Sequence, residues 1–80
     1  MITVAQMEPS TVAAINGYCD VILTYRPDLA GDESERMVRE TFYSLAEMLL
    51  NKGLVPNETE LRGKLLRDTH QYLIGSDNLG

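Results

Sequence analysis

Between Ser10 and Tyr25 the chain carries a single charged side chain, that of Asp20. Isoleucine, valine, leucine, alanine and tyrosine fill most of this stretch, which has the length of a helix. A helix on the surface of a soluble protein normally keeps a charged face toward water. The residues that this one can offer to water are Asn16, Gly17, Asp20 and Thr24. We therefore expect a second copy of the chain or a partner protein to cover the rest.

The size and charge of the chain limit its function. Its 80 residues make a single domain, whose small core leaves only a few kcal/mol of net stability. Twelve acidic and seven basic residues give a formal net charge of −5. This charge argues against a dedicated binder of nucleic acid or anionic membranes, because phosphate contacts need an excess of lysine and arginine. It leaves room for basic partner proteins.

The number of cysteines, the charge of the N-terminus and the length of the apolar runs indicate the cellular compartment of the protein. Cys19 is the only cysteine, which excludes a disulfide framework within the chain. No lysine or arginine precedes Arg26, so the N-terminus lacks the basic opening of a signal peptide. The apolar runs are too short to span a bilayer. The sequence therefore predicts a cytoplasmic protein without a membrane segment.

Proline and glycine divide the chain into segments that predict an all-α fold, a compact bundle of three main helices. The helices are expected at about 9–26, 33–52 and 58–74. Pro9 is suited to the first turn of a helix. Pro27 disfavours the α conformation at the residue before it, Arg26, so the first helix is expected to end there. Residues 1–8 alternate weakly and form a short strand or a loose arm, while residues 76–80 form a frayed tail.

The second and third helices carry similar start and stop signals. Asp32 and Asn57 can each cap a helix, with a glutamate three residues later to return the hydrogen bond. Gly53 and Gly75 are expected to end the same two helices, because glycine adopts the left-handed stop conformation without a Cβ penalty.

Helical spacing predicts which side chains form the core. The first helix turns inward Val12, Ile15, Cys19, Ile22 and Leu23. The second turns inward Val38, Phe42, Leu45 and Leu49, with Met37 and Met48 on one flank. The third buries Leu61, Leu65, Leu66, Tyr72 and Leu73. The apolar arc of the second helix exceeds half its circumference, so this helix is expected to lie between two neighbours.

Residues with possible chemistry do not add up to a catalytic or metal site. His70 and Cys19 fall on different helices, and no spacing supplies further ligands or an orienting group. The acids between Asp28 and Glu35 lack the alternating ligands of a calcium loop, and helix capping and solvation account for them. We predict no enzymatic activity, no metal and no cofactor.

The segment around Ser34 resembles part of a known protein family. An acidic helical chain of this length, with Gly31-Asp32-Glu33-Ser34 opening its second helix, loosely resembles an acyl carrier protein. In that family an aspartate–serine–leucine triplet carries a phosphopantetheine arm at a similar place. Here Glu35 replaces the leucine, and the long loop after the first helix is nearly absent. The resemblance implies a carrier-type domain modified at Ser34 as one alternative.

A second alternative is a helix-turn-helix regulator that binds nucleic acid. Residues 46–66 read as helix, glycine-containing turn and helix, and the third helix offers Lys64, Arg67 and Gln71 as donors to base edges and phosphates. The turn is longer than the tight version, and the net charge opposes this function.

The leading hypothesis rests on an apolar patch of the first helix. Its members are Ala14, Tyr18, Val21 and Tyr25. Exposed patches of this kind mark interaction sites, and tyrosine combines a large apolar contact area with a polar tip. We predict a homodimer or a protein-docking module with a regulatory or adaptor-like function. Alternatively, the N-terminal arm covers the patch through Ile2, Val4 and Met7.

Overall fold

The computed structural model describes residues 1–79, with side chains described as far as Ile74. It confirms the predicted all-α bundle of three helices. They are α1 (Pro9–Tyr25), α2 (Asp32–Asn51) and α3 (Glu58–Leu79), and two short 3-10 turns at Val4–Gln6 and Pro27–Leu29 accompany them. The first two helices match their predicted ranges to within about one residue.

The start of α2 differs from the prediction. Asp32 is the first residue of the helix and does not cap it; the capping position belongs to Gly31, whose φ is 149°. Glycine adopts such a φ without a Cβ clash, so it turns the chain directly into the helix. Asp32 still lies in an acidic first turn, where the positive end of the helix dipole favours negative charge.

The end of α2 follows the sequence signals. Gly53 has a φ of 70°, and its N–H donates to the Leu50 carbonyl at 3.2 Å. The next N–H, of Leu54, donates to the Leu49 carbonyl at 2.9 Å. These bonds satisfy carbonyls that the helix end would otherwise leave without partners, as in a glycine-terminated helix.

The helix α3 begins as predicted and ends later. The Asn57 side chain accepts a hydrogen bond from the Glu60 N–H at 2.9 Å, which confirms Asn57 as the cap. The predicted stop at Gly75 is wrong, because the helix continues to Leu79. A glycine inside a helix costs only about 1 kcal/mol relative to alanine, so glycine alone does not end one.

Side-chain contacts establish the directions of the helices. Arg39 of α2 donates to Asn16 near the middle of α1, while Asn51, at the end of α2, bonds Ile2 before α1 begins, so these helices are antiparallel. Arg62 near the start of α3 donates to Thr11 near the start of α1 at 2.8 Å, so these two helices are parallel. The bundle therefore runs up, down and up.

The core lies along the axis of the bundle. Its buried apolar residues are Met7, Ile15, Cys19, Ile22, Ala46, Leu49, Val55, Leu61 and Leu65. Most of the predicted inward residues belong to it or pack against it. Two expectations for α3 are wrong, because Leu66 is 54% exposed and Tyr72 is 43% exposed. The buried row of α3 is narrower than its apolar sequence and comprises Leu61, Leu65 and Thr69.

The N-terminal arm forms a 3-10 turn rather than a strand. Reciprocal bonds between Thr3 and Gln6 cap the turn. The Val4 N–H donates to the Glu47 carboxylate at 2.9 Å, and Asn51 bonds both backbone groups of Ile2. The arm therefore lies against the C-terminal half of α2, where its Met7 enters the core.

Candidate functional site

The predicted patch on α1 divides into a half-buried and an exposed part. Ala14 and Tyr18 are half-buried, and the Tyr18 hydroxyl donates to the Arg62 carbonyl of α3 at 3.2 Å. Val21 is 42% exposed and Tyr25 is 67% exposed. Tyr18 therefore helps to join α1 to α3, and Val21 and Tyr25 face solvent.

An exposed leucine of α3 lies at the same level of the bundle as the exposed part of this patch. Leu66 follows Arg62 by one helical turn, as Val21 follows Tyr18 on α1. Because α1 and α3 are parallel and the Tyr18–Arg62 bond aligns them, Leu66 lies at the level of Val21 along the bundle. We call Val21, Tyr25 and Leu66 the α1–α3 face. Sequence reasoning assigned Leu66 to the core, because helical spacing does not show how far a neighbouring helix extends over a face.

The only charge between Ser10 and Tyr25 points away from this face. The Asp20 carboxylate accepts from Arg39 of α2 at 2.7 Å, on the opposite flank of α1. The N-terminal arm also lies elsewhere, against α2, so it does not cover Val21 or Tyr25. The exposed apolar side chains of the α1–α3 face therefore lie apart from the acidic group of α1 and are open to solvent.

A second apolar feature is a groove of about 460 Å³ between α2 and α3. The apolar residues of its α2 wall are Met37, Val38, Phe42 and Leu45. Ile22 of α1, Leu29 of the second 3-10 turn and Tyr72 of α3 also line the groove. Met37, at the rim, is 61% exposed. We call this feature the α2–α3 groove. The sequence predicted the apolar residues of this α2 wall as part of the core, because Phe42 and Leu45 lie at the helical spacing of core residues.

Ser34 lies at the groove. It is exposed in the first turn of α2, and its side chain belongs to the lining of the α2–α3 groove. A group attached to its hydroxyl would therefore stand beside an apolar wall.

Lys64, Arg67 and Gln71, the predicted donors to nucleic acid on α3, differ in their exposure and in their partners. Lys64 is half-buried and forms an ion pair with Asp68 of its own helix at 3.2 Å. Arg67 and Gln71 are exposed. Since one predicted donor already has an acidic partner, these residues present less positive charge than the sequence indicated.

No known protein family, curated protein or solved structure matches the chain. Among the helices of the described residues, none is long and apolar enough to cross a membrane.

The lone cysteine and histidine lie in different surroundings. Cys19 is fully buried, and this burial raises the pKa of its thiol. His70 is exposed on α3. Within residues 1–74, no three histidine, cysteine or acidic side chains are grouped in a way that could hold a metal ion.

The burial of Cys19 predicts a thiol that reacts slowly. The thiolate is the reactive form, and both its raised pKa and the surrounding core oppose its formation and access. We expect the native protein to resist a thiol reagent such as DTNB at neutral pH and to react at once in denaturant. Fast stoichiometric labelling of the native protein would contradict this packing of α1.

Glu58 links the start of α3 to the start of α1. The Thr11 hydroxyl beside its carboxylate and the Glu8 N–H, which donates to the carboxylate at 2.9 Å, lower the pKa of Glu58. In the unfolded chain the pKa returns to about 4.3. Ionised Glu58 therefore stabilises the fold above that pH, and this contribution is lost as the pH falls toward the lower pKa of the folded state.

Acid titration tests this linkage. We expect the free energy of unfolding, measured with urea between pH 7 and pH 3, to fall less steeply in Glu58→Gln than in the wild type. Glu60→Gln removes an acid from the same helical turn and serves as the control. Equal slopes for the wild type and Glu58→Gln would contradict the assigned role of the Glu58 bonds.

Proposed function

We propose that this chain is a small, non-catalytic protein-interaction module of the cytoplasm, with a regulatory or adaptor-like function. The observation that carries the proposal is the exposure of Val21 and Tyr25 after the bundle has closed and the N-terminal arm has packed elsewhere. Contiguous exposed apolar side chains mark interaction sites in small soluble proteins. A free buried thiol suits a reducing compartment.

The occupant we propose for the α1–α3 face is a second copy of the chain. With a net charge of −5, two copies repel each other unless the surfaces in contact are nearly neutral. The α1–α3 face avoids the acidic groups that would repel a second copy, because Asp20 is paired toward α2 and the acidic first turn of α2 lies on another helix. Tyr25 can bury its ring there at low entropic cost.

Sedimentation velocity tests the proposal with a matched control. Val21→Glu and Tyr25→Glu place a charge in the face, whereas Leu54→Glu places the same charge at a residue that is 62% exposed after α2. We expect the wild type and Leu54→Glu to dimerise, and the two face variants to sediment as monomers with unchanged helical circular dichroism.

Two outcomes would contradict the dimer. One is a wild type that remains a monomer up to about 1 mM, where even an association of about −4 kcal/mol becomes visible. The other is a dimer that both face variants retain. Tyr18→Glu is avoided, because Tyr18 also bonds α3 and its loss could disturb the fold.

A carrier function for Ser34 is the second candidate, favoured by the exposed position of Ser34 at the rim of an apolar groove. Glu35 stands where the resembled family has leucine, and a transferase would have to accept this change. Coexpression with a phosphopantetheinyl transferase tests it by intact mass. A mass increase that Ser34→Ala abolishes would support this function, and an unmodified chain would remove it.

A further inference from the structure

The α2–α3 groove has the length of a short helix. It follows α2 from Ser34 to Leu45, three helical turns that span about 16 Å. Its two walls are the antiparallel helices α2 and α3, and Ile22 of α1 closes its floor. A groove between two such helices is the place where a further helix can pack and extend a three-helix bundle.

Four of the five polar residues that line the groove already have partners within the protein, and Ser34 at its rim is the exception. Thr41 and Thr69 each donate to a carbonyl of their own helix, at 2.7 and 2.8 Å. The Tyr72 hydroxyl accepts from Arg26 at 3.1 Å. A polar small molecule would therefore find few free groups to orient it, whereas aliphatic side chains would bury their surface without leaving a polar atom unsatisfied.

The charges at the rim favour a basic occupant. Glu33 and Glu40, one helical turn before and after Met37, share Arg36 at 2.6 and 2.9 Å, which leaves this edge of α2 with one excess negative charge. Across the groove, Lys64 pairs with Asp68. The chain as a whole carries −5, so a second copy would meet repulsion here and a basic partner would meet attraction.

We propose that the α2–α3 groove binds an amphipathic helix of another protein, with leucine, isoleucine or methionine on one face and lysine or arginine beside it. Helices of this type recognise grooves through apolar anchors one turn apart, and the exposed Met37 supplies a thioether that adapts to different anchors. The groove is a surface separate from the α1–α3 face, and this site goes beyond the proposed self-association. The two surfaces together would let one chain hold a second copy and a partner.

The probe is a fluorescein-labelled 18-residue helix made of leucine and lysine in amphipathic order, with a leucine–glutamate peptide of the same pattern as its counterpart. Fluorescence anisotropy reports binding to the wild type, Met37→Lys and Leu54→Lys. Met37 and Leu54 are 61% and 62% exposed, so both variants change net charge and surface equally. A contact at the groove requires Met37, whereas attraction to the net charge alone does not distinguish the two variants.

The leucine–lysine peptide is expected to bind the wild type and Leu54→Lys with similar affinity. We expect Met37→Lys to weaken binding by about tenfold or more while circular dichroism stays unchanged. Equal weakening in both variants, no binding of this peptide, or preference for the leucine–glutamate peptide would each overturn the proposal. A wild-type dimer that only Met37→Lys dissociates would overturn it too, because a second copy would then occupy the groove.

Discussion

Leu65→Ala is expected to remove about 3 kcal/mol from the free energy of unfolding, because the side chain is fully buried where α3 faces α1 and α2. A domain of this size has only about 3–5 kcal/mol to lose. The variant should therefore be largely unfolded near physiological temperature. Thermal and urea denaturation followed by circular dichroism measure the loss, at about 4–8 °C of melting temperature for each kcal/mol.

Leu54→Ala is the control for this core substitution. It removes the same atoms from a side chain that is 62% exposed and should cost less than about 1 kcal/mol. If Leu65→Ala were no more destabilising than Leu54→Ala, the placement of Leu65 in the core would be wrong.

Asn16→Ala is expected to produce the second large effect, a loss of about 1–3 kcal/mol. The Asn16 side-chain oxygen accepts from Arg39 at 2.9 Å and from the Tyr43 hydroxyl at 2.8 Å, and its amide donates to the Val12 carbonyl. Alanine removes the shared acceptor between α1 and α2 and leaves two half-buried donors without it. Urea denaturation at neutral pH measures the loss.

Two comparisons separate this network from a simple packing effect. Asn16→Asp keeps an acceptor oxygen for Arg39 and Tyr43 and should retain most of the stability that alanine loses. In a double-mutant cycle, Tyr43→Phe should cost clearly less in the Asn16→Ala background than in the wild type. Additive losses would contradict the proposed coupling.

The sequence predicted most of the fold because its local signals agree with each other. Pro9, Pro27 and Gly53 lie at helix boundaries whose chemistry is local, and Ile15 and Leu61 lie at core spacing. The start of α2 was predicted one residue too late. Gly31 and Asp32 can both occupy a capping position, and the backbone φ decides between them.

Interactions between helices were harder to predict. Asn16 was expected to face water, but the long side chain of Arg39 reaches across from α2 to bond it. Leu66 and Tyr72 were expected in the core, since helical spacing defines an apolar face but not how far a neighbouring helix covers it. The α2–α3 groove was not predicted for the same reason, because the sequence does not show how much of the apolar face of α2 its neighbours cover.

The candidate site was predicted in part. The patch on α1 was chosen from its lack of charge, and Val21 and Tyr25 do remain exposed. The sequence did not reveal that Tyr18 would be partly covered by α3 or that Leu66 would extend the face, because both depend on the parallel packing of α1 and α3.

The most direct test of self-association through the α1–α3 face is a dilution series of ¹⁵N-labelled protein, from about 1 mM to about 10 µM, followed by amide chemical shifts. Self-association through this face predicts concentration-dependent shifts centred on Val21, Tyr25 and Leu66, with the amides around Met37 unaffected. A spectrum that does not change with concentration, or shifts centred on the α2–α3 groove, would contradict it.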